Sequence, residues 1–250
     1  MPAAASAGEE ERSELRSYGR RERRRRTGEQ AASVRFRVRY EKGTAVRFLS
    51  HLDLVRAFAR AAAASGLPIQ FTQGFNPHPK IAYGPPLPVG ATGEAEYIDV
   101  ELRSPVDPNE VADRLGRGLP EGARILSVRR AQSRRSAAAE AAAAEYVIRD
   151  VPGLAGEPAE EVRRRLGELA EVCEASVPRG DRTKVIRPSE QIVEIELLDE
   201  SPPAVRVVLA IGEEGAMRPL DVVRLLSSSG EAEPALAWIH RTGLFPSSCQ

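Results

Sequence analysis

The chain has 250 residues, and its 36 basic and 36 acidic side chains give a formal net charge of zero. This balance argues against a protein that is basic throughout, although local basic surfaces remain compatible with it. No stretch approaches the roughly 18 apolar residues of a membrane span, and the N-terminus has no apolar signal core. We therefore expect a cytoplasmic protein without membrane contacts.

Residues 1–33 carry small, charged and polar side chains without hydrophobic periodicity, so we predict a disordered arm. The arm includes an arginine-rich run, Gly19–Arg26. Such a run can bind phosphates electrostatically, and the alternative is a solvated tail.

The first predicted module, residues 34–131, begins with a strand. From Val34 to Tyr40, apolar residues alternate with arginines, which is the period of a half-buried strand. A helix follows, with Ser50 as its N-cap and Asp53 at capping-box spacing. The remaining elements are an extended segment at Ile69–Tyr83, a strand at Glu94–Leu102, a helix capped by Asp107 and a strand at Ala123–Val128.

A linker at 132–144 separates this module from a second one at 145–247. The second half repeats the order of elements without repeating the sequence, and these elements are a strand at Tyr146–Val151, a helix at Pro158–Val172, strands around Val193–Leu197 and Val205–Ile211, a helix at Leu220–Leu226 and a strand at Ala237–Phe245. We predict an α+β protein made of two tandem ferredoxin-like β-α-β-β-α-β modules with antiparallel sheets.

Two segments of the first module carry candidate functional residues. Arg47 and His51 flank a predicted helix start, where backbone N–H groups attract anions, and His51 is a candidate acid or base. The second segment is a loop in which prolines flank His78, a second catalytic candidate. Its candidate substrate-binding residues are Gln73, Asn76, His78 and Lys80, with a structural turn as the alternative.

Basic residues beside strand ends of the second module could follow a phosphate backbone. Each is also typical of a solvated edge. These candidates are Lys184, Arg187, Arg218 and Arg241.

Several chemistries find no support in the sequence. The three histidines lie on different elements without metal-ligand spacing, so we predict no metal site. The two cysteines, Cys173 and Cys249, are too few for a thiolate cluster. We therefore expect no cofactor.

The motifs Arg47–Asp53, Gln73–Lys80 and Glu94–Tyr97 resemble the radical SAM-linked (radical SAM-associated) bacterial domain of unknown function. The segments Asp181–Pro188, Arg218-Pro219 and His240–Leu244 extend this resemblance to about residues 34–245. The family's domain is fused to, or encoded beside, a radical SAM protein, and in some genomes it lies near genes for an RNase E/G-type ribonuclease. Because this chain has no Cys-x-x-x-Cys-x-x-Cys motif, the resemblance implies a stand-alone accessory piece that acts with a radical SAM protein in trans.

Three functions follow from these observations. The first hypothesis is a non-catalytic accessory protein that binds RNA, or an RNA-derived substrate, and presents it to the radical SAM partner. The second is a protein–protein scaffold for that partner without RNA. The third is a metal-independent endoribonuclease in which His51 or His78 moves the 2′-hydroxyl proton.

Overall fold

A computed structural model describes residues 33–200, 202–212, 216–227 and 238–246. The predicted basic arm, apart from Ser33, and Cys249 lie outside the described residues. The described chain has the predicted α+β class, with a mostly antiparallel main sheet. In this part of the chain, no helix is long and apolar enough to cross a membrane.

The first half forms one end of the main sheet, from β4 to β3. Strand β1 lies between β3 and β4 and is antiparallel to both, while β2 pairs with the opposite edge of β3. The apolar–arginine alternation produces β1 as predicted, but only the last three residues of the segment predicted to be extended form a strand. The elements are β1 (Val34–Lys42), α1 (His51–Ala64), β2 (Ile81–Tyr83), β3 (Thr92–Leu102), α2 (Pro108–Gly116) and β4 (Ala123–Arg130).

The second half adds four antiparallel strands in the order β10-β5-β9-β8. Its first strand begins at Ala141, inside the segment predicted to be a linker. A separate two-stranded hairpin, β6–β7, was not predicted. The elements are α3 (Ala137–Glu140), β5 (Ala141–Arg149), α4 (Ala159–Glu171), β6 (Ala175–Arg179), β7 (Arg182–Ile186), α5 (Pro188–Gln191), β8 (Ile192–Glu200), β9 (Pro203–Ala210), α6 (Pro219–Leu226) and β10 (Trp238–Pro246).

Strands β3 and β10 join the halves into one eight-stranded sheet. They pair in parallel over two residues, with His240 opposite Thr92 and Arg241 opposite Gly93. A Cβ atom at Gly93 would lie 2.7 Å from a carboxylate oxygen of Glu96 and 3.2 Å from the Cβ of Arg241. Glycine therefore permits the close approach of the two strands at this seam.

Two hydrophobic clusters pack between the helices and the sheet, and Leu87 and Ala91 of the first half belong to the cluster of the second half. In the first half, Phe36 and Val38 of β1 pack in a cluster with Phe58 of α1. In the second half, Ile148 of β5 packs in a cluster with Leu166 of α4. Burial of side chains of this size stabilises a fold by about 1.5–3 kcal/mol each, which holds the helices against the sheet.

Candidate functional site

A basic cleft that is open to solvent lies between the β6–β7 hairpin and the beginning of α6. Four basic side chains line it, which are Arg179, Lys184, Arg218 and Arg224. We call this feature the cationic cleft.

One buried carboxylate, that of Asp221, holds the walls of the cationic cleft together. It accepts a hydrogen bond from the Arg179 guanidinium at 2.6 Å and from the backbone N–H of Arg218 at 2.7 Å. Arg224 lies 3.4 Å from the second carboxylate oxygen and also donates to the Pro178 carbonyl at 3.2 Å. These bonds fix the hairpin to the helix, so the cleft has defined walls.

Among the described residues that line it, the cationic cleft carries an excess of positive charge. Asp221 is fully buried, whereas Lys184 and Arg218 are exposed and form no ion pair with any described residue. Desolvation by burial lowers the pKa of Arg179 despite the opposing effect of Asp221, and the charges of Arg218 and Arg224 lower it further. Such mutual repulsion between guanidinium groups is relieved when an anion binds between them.

Of the four predicted basic residues of the second half, the structure brings two together in this cleft, Lys184 and Arg218. Arg187 does not line the cleft; its side chain is exposed and lies 3.9 Å from Glu190. Sequence reasoning missed Arg179 and Arg224. The sequence signal that could have identified Arg179 is the glycine after it, because Arg179-Gly180-Asp181 is typical of a turn. In the structure, Gly180 has a φ of 63°.

Arg241 occupies a buried position at the seam between the halves, with only 1% of its surface exposed. Its Nε donates to Glu96 at 2.7 Å, and Nη2 donates to the Pro85 carbonyl at 2.8 Å and to the second Glu96 oxygen. The guanidinium is therefore occupied within the protein. It acts as a structural link and does not present free charge to a ligand.

Lys42 is a second buried cation at this seam. Its side chain is fully buried, and its Nζ forms no hydrogen bond with any described residue. Desolvation by burial lowers its pKa, although the nearby Glu96 carboxylate opposes this effect. Two basic groups, Arg241 and Lys42, thus lie beside one carboxylate, and the charge of Arg241 lowers the pKa of Lys42 further.

His51 lines a separate, narrow cleft of about 280 Å³ in the first half, beside Tyr83 and Glu96. The His51 and Tyr83 rings meet edge-to-face, with centroids 5.7 Å apart. Burial raises the pKa of Tyr83 to about 12, so this phenol stays protonated at neutral pH. Arg47 places its guanidinium 4.6 Å from the centre of the exposed Phe48 ring.

The His78 loop projects from the first half. Its base is fixed by backbone hydrogen bonds, from Lys80 N–H to the Gln70 carbonyl at 2.7 Å and from Thr72 N–H to the His78 carbonyl at 2.8 Å. Lys80 also lies 3.6 Å from Glu101. The exposed residues at the tip of the loop include Gln73, Phe75, Asn76 and His78.

The candidate residues of the two halves do not form one trough. The cationic cleft is lined only by residues of the second half, and the His51 cleft only by residues of the first. The arginines of β1 are paired with carboxylates as well. These pairs are Arg35 with Glu101 at 3.0 Å, Arg37 with Asp99 at 2.8 Å and Arg39 with Glu94 at 3.9 Å.

Among the described residues, no group of three or more His, Cys, Asp or Glu side chains is placed to hold a metal ion.

Comparison with known proteins identifies the family. The family described as "Uncharacterized protein conserved in bacteria (DUF2344)" matches residues 35–219, and the chain belongs to it. No curated protein matches the chain. Among solved structures, the chain is similar to a chain of the "Crystal Structure of a Cbf5-Nop10-Gar1 Complex", with 12% identity and a TM-score of 0.45. This similarity covers 85% of the present chain and 50% of the other.

Proposed function

We propose that this member of an uncharacterized bacterial family is a non-catalytic accessory protein that binds RNA, or an RNA-derived substrate, and presents it to a radical SAM partner. The observation that supports RNA binding is the cationic cleft, where the exposed Lys184 and Arg218, which form no ion pair with any described residue, lie beside a fixed pair of arginines. The partner is proposed from the resemblance of the loop and strand motifs to the radical SAM-linked domain.

Phosphate binding at this cleft has a defined electrostatic signature. Each phosphate that a basic side chain neutralises releases counterions, so the binding constant falls with salt concentration. If all four basic groups contact phosphates of a single strand, the slope of log K against log salt is about −3. Removal of two of them reduces the magnitude of this slope by about 1.4.

The first prediction concerns Lys184 and Arg218. We expect the full chain to bind fluorescently labelled single-stranded RNA with a Kd in the micromolar range, and the Lys184→Ala/Arg218→Ala double variant to bind at least about tenfold more weakly. Fluorescence anisotropy titrations at several salt concentrations measure both the affinity and the slope. Arg117→Ala is the matched control, because Arg117 is exposed but paired with Asp113 at 2.7 Å.

If the wild-type chain does not bind RNA, or binds it with an affinity that does not depend on salt, the RNA-binding proposal is wrong. Binding that the double variant leaves unchanged would contradict the assignment to this cleft. Co-purification of the radical SAM protein with the full chain, before and after nuclease treatment, tests the partner separately. If the radical SAM protein co-purifies with the chain neither before nor after nuclease treatment, the accessory role is wrong.

A scaffold function without RNA is the alternative that the exposed apolar residues favour. Phe48 and Leu52 expose 67% and 63% of their surface near the beginning of α1. Exposed apolar groups of this size mark interaction surfaces when they lie together. Co-purification that resists nuclease, without RNA binding, would favour this alternative.

The endoribonuclease alternative has less support, because His51 and His78 lie outside the cationic cleft. Incubation of the pure chain with labelled RNA in EDTA tests it, and cleavage that is lost in His51→Ala or His78→Ala would favour it.

We also propose that the halves are tandem ferredoxin-like modules. The strand orders β4-β1-β3-β2 and β10-β5-β9-β8 support this proposal, because each has the arrangement of a split β-α-β fold. In the second half, the β6–β7 hairpin is an insertion between the first helix and the second strand of the module.

A further inference from the structure

A third cleft, of about 390 Å³, lies where the first half meets the end of β10. Its lining includes Arg37, Tyr97, Arg129, Glu140 and Phe245. We propose that this cleft binds a nucleoside monophosphate unit, with the base against Tyr97 and Phe245 and the phosphate at Arg129. This inference extends the proposed function. If the nucleotide is part of RNA, the inference rests on the RNA binding proposed above.

The cleft has a fixed wall. Arg37 is buried and donates to Asp99 at 2.8 Å and to the Arg135 carbonyl at 3.2 Å, and it also binds Glu140. Asp99 in turn accepts a hydrogen bond from the Ala137 backbone N–H at 2.8 Å. These contacts fasten α3 to the sheet, so the cleft exists before any ligand enters.

The aromatic character of the cleft comes from both halves of the protein. Tyr97 belongs to β3 and Phe245 to β10. The Phe245 ring lies over Gly243, since a Cβ atom there would be only 2.9 Å from the ring's Cζ. Because Phe245 is still 43% exposed, part of its ring is available to a planar ligand, and bases stack on such rings irrespective of sequence.

The two arginines of the cleft differ in whether other protein groups already bind their guanidinium groups. The guanidinium of Arg37 is occupied by Asp99, Glu140 and a backbone carbonyl. Arg129 is exposed and forms no hydrogen bond or ion pair with any described residue, although the Glu140 carboxylate of the same cleft lies within range of its charge. Because Glu140 is already bound to Arg37, Arg129 is the group that can bind an anion, and a bidentate guanidinium–phosphate contact is a strong one.

The combination of an exposed arginine with two aromatic rings indicates which class of ligand fits the cleft. A phosphate alone would leave the aromatic rings exposed, and an uncharged aromatic molecule would leave Arg129 without a partner. The empty space of about 390 Å³ includes solvent at the open side of the cleft, so a nucleotide would lie across the opening with part of its surface in water. A nucleoside monophosphate satisfies both features of the lining.

The test uses AMP and UMP, titrated into the full chain and followed by isothermal calorimetry. We expect Kd values below about 1 mM, with adenosine, ribose 5-phosphate and inorganic phosphate each at least about tenfold weaker. Arg129→Ala should weaken AMP by about tenfold and leave adenosine unchanged, whereas Phe245→Ala should weaken both. Phe245→Tyr should keep AMP affinity, and Arg130→Ala, in the same strand, is the matched control.

The outcomes separate this inference from the proposed function. The same titrations are repeated in the Lys184→Ala/Arg218→Ala background, where AMP binding should persist. Absence of AMP and UMP binding up to about 10 mM, or binding that is insensitive to both Arg129→Ala and Phe245→Ala, overturns the inference and leaves RNA binding at the cationic cleft intact. AMP binding in a chain that does not bind RNA supports a free-nucleotide site and contradicts the RNA proposal alone. Weaker binding of labelled RNA by Phe245→Ala assigns the site to a nucleotide within RNA.

Discussion

At the scale of single residues, the most unusual feature is the group of buried charges at the seam. Glu96 binds Arg241 through both carboxylate oxygens, and Lys42 remains beside them without a hydrogen bond. A buried amine without a partner loses its hydration and gains little in return. The physical consequence is a depressed pKa for Lys42 and a dependence of stability on pH.

Lys42→Met tests this consequence. The apolar replacement removes an unsatisfied buried group, so we expect the free energy of unfolding at neutral pH to rise by about 1–3 kcal/mol. Below the ordinary lysine pKa of 10.5 and above the lowered pKa of Lys42, the unfolded chain binds more protons than the folded one. Wild-type stability should therefore rise with pH through this window, and Lys42→Met should remove that part of the rise.

Urea unfolding at several pH values between about 7 and 10 measures both effects. Lys184→Met is the matched control, because Lys184 is exposed. The free energy of unfolding of this variant should differ from that of wild type by less than about 0.5 kcal/mol. Destabilisation by Lys42→Met would show that Nζ has a favourable partner in solution.

At the scale of elements, local sequence signals determine the beginning of α1. The predicted capping box is confirmed: Ser50 Oγ accepts the Asp53 N–H at 3.2 Å, and the Asp53 carboxylate accepts the Ser50 N–H at 3.2 Å. The bonds to Ser50 lower the pKa of Asp53. Capping is local in sequence, which explains why it was predictable.

Ser50→Ala should lower the free energy of unfolding by about 1 kcal/mol, because one helix N–H loses its acceptor. The pKa of Asp53 should also move up toward its ordinary value, since the hydroxyl that donated to it is gone. Chemical denaturation and an NMR titration of the Asp53 carboxyl measure the two changes. Ser104→Ala, in an exposed loop, is the control; equal stability of the two variants would contradict a role for the cap.

At the scale of the whole molecule, the two halves share one sheet and one buried ion pair. The β3–β10 pairing covers only two residues, and the halves are also joined by the Glu96–Arg241 contact, by Thr92 Oγ1 and His240 Nδ1 at 2.8 Å, and by Leu87 and Ala91 in the second core. Removal of one partner of a buried pair leaves the other charge uncompensated. The stability of each half should therefore depend on the seam.

Glu96→Ala should lower the free energy of unfolding by about 3–5 kcal/mol. Trp238, the only tryptophan, lies in β10 and reports on the second half, while far-UV circular dichroism reports on the whole chain. We expect both signals to give one coincident transition in wild type and in Glu96→Ala. Glu121→Ala is the exposed control, and separate transitions in wild type would show that the halves unfold independently.

Elements that depend on short-range patterns were predictable from the residues alone. The alternation in β1, the capped α1 and the apolar face of α4 were predicted close to their observed limits. The β6–β7 hairpin was not, because its strands have five residues each, and β7 has a mostly exposed surface without an apolar alternation. The same limit explains why Lys184 was identified as a basic candidate without its neighbour Arg179.

Which charges remain exposed depends on long-range contacts. In sequence, Arg37, Arg218 and Arg241 are equivalent basic residues beside strands or helices. The fold pairs Arg37 with Asp99, 62 positions away, and Arg241 with Glu96, 145 positions away, and leaves Arg218 exposed. The availability of a charge depends on desolvation and on carboxylates brought near by chain folding, and neither quantity is encoded in local spacing.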